Sequence, residues 1–313
     1  MITTQSTIKR AVSISLGSSK RDSSTVVELF GEKVQLERIG TDGDMKKAEA
    51  MYSELDGKVD AFGVGGALLG FMVDTNWHTL HSVQSLIKGV HKTPVADGTG
   101  LKMTLERKAA SVLAENVNIP DDQKHAFMTS AVDRYGLFQG FNDAGYQCVI
   151  GDVMFALGMD IPLNSEKSLK RMVSILMPVI SRLPFSMLYP TGESQNKRTP
   201  KWGKYFTQAD VVAGDCHYLT KYMPDHMEGK TIVTNTTTKA DRDLFKQAGV
   251  KYLITTTPVF EERSYGTNML EAGLLAATGR QEPVDYAHAE GYLKQVEAWL
   301  DELNIKPQFT ELS

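Results

Sequence analysis

The sequence predicts an α/β protein: mostly parallel, Rossmann-like sheets flanked by helices, arranged as two lobes with a cleft. Three observations carry this. Apolar, β-branched runs recur along the chain, and each stops at a small cluster of Gly, Ser, Thr or Asp, as buried parallel strands do where they turn toward a helix or a ligand. Segments with apolar residues at helical spacing separate the runs. The chain has 313 residues, against a usual domain size of about 150, so two units are expected. We divide them as 1–122 and 123–313, with a lid-like, proline-rich segment over 183–209 in the second.

In chain order, residues 11–16 read as the first strand, and VELFGEKVQLERIG reads as a hairpin-like pair leading into GTDGD. Asp44 is placed to cap the helix MKKAEAMYSEL, because a short carboxylate there accepts from free N–H groups of the first turn. A buried strand over 59–63, a helix near 81–89 and a strand around Val95 follow. LKMTLERKAASVLAENV reads as one amphipathic helix. From Phe127 the alternation resumes with FMTSAVD, a helix over 135–144 and the strand QCVIGD. Asn164 or Ser165 then caps a long helix in which Pro178 kinks or ends the last turn. DVVAGD, TIVTNTTT and YLITTTP are the remaining strand runs, and DYAHAEGYLKQVEAWLDEL is a closing amphipathic helix.

Composition narrows the class further. Hydrophobic residues make up 42% and charged residues 23% of the chain, as in ordinary globular proteins. A net charge of −4 with no long Lys/Arg block argues against nucleic acid or an anionic membrane as partner. Two cysteines are too few for a disulfide scaffold and fit a reducing compartment. With a polar N-terminus, and with Pro178, Arg182 and Pro184 interrupting the most apolar helix, a cytoplasmic location is expected. The expected partner is a small anionic molecule; the oligomeric state stays open, a homodimer included.

The strand-end clusters supply the candidate site. Gly63, Gly65 and Gly66 in GVGGALLG follow a strand and come nearest to a dinucleotide fingerprint, although the glycine spacing differs from it. Gly98, Thr99 and Gly100 in DGTGLK stand at a predicted helix start, where free N–H groups and Lys102 converge on an anion; a capped Asp/Gly turn is the alternative. Asp97 and Lys102 are a candidate acid–base pair, and Asp133 a further strand-end carboxylate. Thr234, Asn235, Thr236, Thr256 and Thr257 close two strands and offer hydroxyls and an amide to a carboxylate, phosphate or sugar hydroxyl, with Asp215 and Arg263 at the same edge. Asp215-Cys216-His217 also admits a thiolate reading. His78 and His81 lack a carboxylate-rich setting, so no metal site is expected.

The segments VSISLGSSKRD, ERIGTDGD, TPVADGTGLKMTLER, SAVDRYG, GDVMFALG, LPFSMLYPTGE, TNTTT and ITTTP together resemble a bacterial family that carries the name quinate 5-dehydrogenase. The resemblance spans nearly the whole chain. It implies an NAD- or NADP-dependent oxidoreductase acting on a small hydroxylated carboxylic acid. On that reading GVGG or DGTG holds cofactor phosphate, the Thr/Asn edge and Arg263 hold the carboxylate, and Lys102 with Asp97 relays the alcohol proton. Two other readings stay open on the same residues: a non-redox isomerase, racemase or transferase, and a two-lobed binding or sensor protein that closes on a small anion.

Overall fold

The computed structural model describes residues 8–188, 198–260 and 263–312. In the first part of the chain these form β1 (Lys9–Ser15), β2 (Ser23–Leu29), β3 (Glu32–Gly40), α1 (Met45–Leu55), β4 (Ala61–Gly65), β5 (Gly70–Val73), β6 (Asn76–Thr79), α2 (His81–Gln84), β7 (Val95–Ala96), α3 (Thr99–Met103) and α4 (Ala109–Asn116). Five strands make one sheet in the order β2-β3-β1-β4-β7. The pairs β3–β1, β1–β4 and β4–β7 are parallel, and β2 joins β3 as the antiparallel arm of a hairpin. Asp44 caps α1 as expected, its carboxylate accepting from the Lys47 N–H.

The second part continues with β8 (His125–Met128), α5 (Tyr135–Asp143), β9 (Gln147–Ile150), α6 (Asp152–Leu157), α7 (Glu166–Ile180), α8 (Phe185–Leu188), α9 (Gly203–Gln208), β10 (Val211–Gly214), α10 (Cys216–Tyr222), β11 (Thr231–Thr234), α11 (Lys239–Gln247), β12 (Tyr252–Thr255), β13 (Val259–Phe260), β14 (Arg263–Ser264), α12 (Thr267–Thr278), α13 (Glu290–Glu302) and β15 (Gln308–Glu311). The second sheet runs β15-β12-β11-β10-β8-β9. It is parallel except for β15, which pairs antiparallel with β12. The fold class is thus the expected one, α/β with mostly parallel sheets flanked by helices. The division after residue 122 falls between β7 and β8, the last and first strands of the two sheets in chain order.

Helix α12 comes late in the chain and yet packs on the first sheet, where Gly273 lets Leu36 and Leu29 approach its backbone. Apart from Asn268 and Thr278 its residues are buried, as expected for a helix that is apolar nearly all round. One continuous buried cluster runs from Ile14 and Phe62 through Leu101, Leu105, Phe138 and Leu274 to Val211, Val233 and Ile254 of the second sheet. The opposite face of that sheet, with Phe127, Val212, Ile232 and Leu253, forms a second cluster against α9, α10 and α11. Val211 and Val212 point into different clusters, as the two-residue strand period requires. A large apolar seam therefore ties the two sheets together, which opposes free hinge motion between them.

Two local expectations are corrected. LKMTLERKAASVLAENV is not one helix: α3 stops at Met103, a 3₁₀ turn covers Glu106–Lys108, and α4 starts at Ala109. Gly136 and Gly140 of α5 lie so close to the backbone of Lys102, Met103 and Arg107 that a Cβ at either position would collide with it. This packing bends the segment and turns Glu106 inward. GVGGALLG likewise does not open a helix. Gly66 turns with φ at +71°, and the chain enters the β5–β6 hairpin.

Candidate functional site

The C-terminal ends of β8, β10, β11 and β12 bring a charged network together with the turn between α3 and α4. Arg134, just before α5, is its centre. Its guanidinium donates to Glu106 through one terminal nitrogen and, at 2.8 Å, to Asp215 through the other. Lys102 on α3 donates to Asp133 at 2.5 Å. The Asn235 amide donates to Asp215 at 3.0 Å, and the Thr256 hydroxyl reaches Glu106 at 3.4 Å. Three carboxylates thus meet two cations around buried polar groups.

Burial divides the members. Glu106 is 0% exposed and the Arg134 side chain 4%, whereas the side chains of Asp133 and Asp215 are each 26% exposed. Burial raises the Glu106 carboxyl above its ordinary range despite the pull of Arg134 and Lys102. Asp133 is also penalised by burial, but Lys102 and then Arg134 hold it below the ordinary value. The Arg134 guanidinium, opposed by burial, is held charged by Glu106, Asp215 and Asp133. Glu106 Oε2, Arg134 Nε and Ser130 Oγ are buried without a hydrogen-bond partner. Unmet donors and acceptors inside a charged network are costly unless something else satisfies them, which marks the place as more than a structural ion pair.

Two further groups border the network. Asp152 accepts from the Ala131 and Val132 N–H groups, and burial, reinforced by Asp133, pushes its carboxyl up to about 6. Tyr218 on α10 is partly exposed at 37%; desolvation and then the charges of Asp133 and Asp215 push its hydroxyl up to about 12.

Some of the residues expected from sequence meet here and others do not. Lys102, Asp133, Asp215, Asn235 and Thr256 share the network. The Thr234 hydroxyl donates to the Gly214 carbonyl at 2.9 Å, and that of Thr257 to the Asn235 carbonyl, so both brace strand ends. Thr236 follows Asn235 in the same turn. Arg263 lies on β14, and its side chain falls outside the described residues, as does part of the lid-like segment.

Asp97 is not the partner of Lys102. Its two oxygens accept from the Leu69 and Thr99 N–H groups at 2.8 and 3.0 Å, tying the turn after β7 to the loop before β5. The proposed proton relay is thereby corrected. Cys216 is buried with its thiol pushed far up by burial, which removes the thiolate reading.

Glu106, Arg134 and Tyr218 are not among the site residues expected from sequence. Arg134 stands next to Asp133 directly after a strand run, and an arginine there is the signal that was available. A separate cavity of about 660 Å³ opens at the N-terminal ends of β8 and β9, lined among others by His125, Phe127, Tyr146, Gln147 and Cys148.

A family model described as domain of unknown function DUF8754 matches residues 100–312, more than half of the chain. The chain belongs to the DUF8754 family. A second model, domain of unknown function DUF8753, matches residues 10–97, so in this DUF8754 protein the two matches meet at the turn around Asp97–Thr99. No curated protein matches the chain. Among solved structures, a glucose-galactose binding protein from Geobacillus stearothermophilus is 11% identical, with 98% of each chain covered and a TM-score of 0.37. An ABC-transporter solute-binding protein from Burkholderia multivorans is 12% identical over 90% of this chain and 95% of its own, with a TM-score of 0.37. A carbohydrate-transporter solute-binding protein from Agrobacterium radiobacter, in complex with D-arabinose, is 11% identical over 94% and 99%, with a TM-score of 0.30.

The expectation of a quinate dehydrogenase is corrected. The families matched are described as domains of unknown function and name no dehydrogenase activity, and the loops expected to hold the cofactor are packed against the protein itself. The expected NAD or NADP loses its seat on geometric grounds as well. Gly63 and Gly65 lie inside β4, where a Cβ would meet the Asn268 carbonyl and the Ser15 side chain, and Gly66 leads into a hairpin instead of a helix. Gly98, in a left-handed conformation at φ +94°, and Gly100 are pressed against Thr267 and Glu271, and Thr99 is buried. These glycines serve close backbone packing in a turn, without room for a pyrophosphate.

Proposed function

We propose that this protein binds a small, hydroxyl-rich molecule at the C-terminal edge of the second sheet, without nicotinamide chemistry. The observation that carries the reading is the Glu106–Arg134–Asp215 and Lys102–Asp133 network, which is rich in acceptors and keeps Asp133 and Asp215 partly open. Only one oxygen of Asp133 bonds Lys102; the other lies 3.9 Å from Arg134 Nε. The second oxygen of Asp133 accepts from a sugar or polyol hydroxyl, Asp215, which also accepts from the His217 N–H, lies beside it, and the partly exposed Tyr218, packed on Phe155 and Tyr222, adds an aromatic edge for a carbon skeleton. The excess of carboxylate disfavours an anion at this edge, so the expected anionic partner becomes a neutral or cationic one here. The apolar seam between the sheets supports a preformed site in place of one that closes on its ligand.

A thermal-shift and calorimetric panel of monosaccharides and polyols tests this. At least one member is expected to bind saturably and raise the melting temperature. Asp215→Asn is expected to weaken that ligand by about tenfold, the loss of one charge-assisted hydrogen bond. Stabilisation by nicotinamide cofactors, with none by any polyol, would sink the proposal.

A further inference from the structure

The first sheet carries a second constellation, at the C-terminal ends of β1 and β3. Arg38 on β3 is held in place by donating to Ser15 Oγ at 2.9 Å, to the Ser18 carbonyl at 3.0 Å and to Asp22 at 3.0 Å. Arg21 lies within the GSSKRD loop that follows β1, at the end of the 3₁₀ turn Ser19–Arg21. Gly17 leaves the space where the two side chains converge: a Cβ there would lie 2.8 Å from an Arg21 terminal nitrogen and 3.0 Å from an Arg38 one. Burial and then the charge of Arg21 lower the Arg38 pKa.

Asp22 and Asp42 oppose the charge of Arg38, while Arg21 has no carboxylate of its own among the described residues. Asp22 accepts from Arg38 and from the Gly40 N–H, and Asp42 is engaged by the Ser19 N–H. Arg21 has no ion-pair or hydrogen-bond partner for its guanidinium among the described residues, and Lys20 beside it is exposed. Two like charges a few ångströms apart repel, and a counter-anion between them relieves that repulsion. Arg38 Nη1 is spent on the Ser18 carbonyl and Asp22 and one Nη2 hydrogen on Ser15, so Arg38 offers Nε and the remaining Nη2 hydrogen, and with the Arg21 guanidinium these donors suit a tetrahedral oxyanion better than a single carboxylate.

We propose that Arg21 and Arg38, over Gly17, form a binding site for a phosphate group, free or esterified, separate from the carboxylate-rich edge of the second sheet. The site does not depend on the hydroxyl-binding reading, because none of its residues belongs to the Arg134 network.

Calorimetric titration of the full chain at constant ionic strength tests it, with inorganic phosphate in one arm and glycerol 3-phosphate in the other. Saturable binding is expected in the wild type, weakened roughly tenfold or more by Arg21→Ala, whose side chain braces nothing in the fold. Asp215→Asn, which removes a charge from the other edge, is expected to leave phosphate affinity unchanged. Tighter binding of the ester identifies an esterified phosphate as the ligand; equal binding identifies the free ion. Absence of saturable binding in both arms, or wild-type affinity in Arg21→Ala, overturns the proposal.

Discussion

The C-terminal edges of the two sheets use the same kinds of charged residue under different burial. At the second sheet Glu106 and Arg134 are fully withdrawn from water, and Asp133, Asp215 and Lys102 complete their network. At the first sheet Arg38 is half-withdrawn, and Arg21, Lys20, Asp22 and Asp42 stand nearer the solvent. The buried network is therefore part of the fold, and its members are costly to remove one at a time. The outer one is screened by water and salt, so its charges govern binding more than stability.

The largest effect expected from this contrast is that of Arg134→Ala. It leaves Glu106 buried without its cation, and a loss of roughly 3–5 kcal/mol in unfolding free energy is expected from urea denaturation. A loss under about 1 kcal/mol would show that water already compensates Glu106, and would erase the distinction between the two edges.

Glu271 sharpens the comparison from behind the first sheet. It is as buried as Glu106, but its hydrogen-bond partners are the Tyr286 and Tyr292 hydroxyls and the Leu101 N–H, with no cation among them. Burial, aided by the charge of Asp97 and opposed by the tyrosine hydroxyls, pushes its carboxyl up to about 7. Between its unfolded value and about 7 the folded protein binds the extra proton. The corresponding stability is fully present below about pH 4.5 and lost as pH rises to about 7, on the order of 3 kcal/mol. Glu271→Gln is expected to flatten this part of the stability–pH curve; an unchanged slope would mean that Glu271 is already ionised in the fold at lower pH. The smallest effect is that of Arg38→Ala, about 1 kcal/mol, because its partners can turn to water.

The alternation of strands and helices was legible because buried parallel strands leave long apolar runs and small-residue tails; β1, β8, β10, β11 and β12 all end where those tails begin. The β5–β6 hairpin was not. LLGFMV is apolar without a period that separates strand from helix, and the left-handed turn at Gly66 decides the outcome. Lys102, Asp133, Asp215, Asn235 and Thr256 were legible as strand-end or helix-start polar residues. Glu106 was hidden inside an apparent amphipathic helix, where a charged residue reads as solvent-facing, and the glycines of α5 that turn it inward act from a distant part of the chain. Arg38 was hidden for a similar reason: on a strand with polar alternation it looks like an outward side chain, and its approach to Arg21 depends on the fold of the GSSKRD loop.

The central claim is that the two strand-end edges are distinct sites of opposite preference, hydroxyl-rich ligand at the second sheet and phosphate at the first. Amide NMR titration of the wild-type protein with inorganic phosphate and, separately, with the polyol selected by the thermal panel tests it most directly. The account predicts that phosphate moves the signals of Gly17, Ser18, Arg21 and Gly40, and that the polyol moves those of Asp133, Asp215, Cys216 and Asn235, with little overlap. One shared set of residues responding to both ligands, or phosphate acting at the Arg134 network, would contradict it.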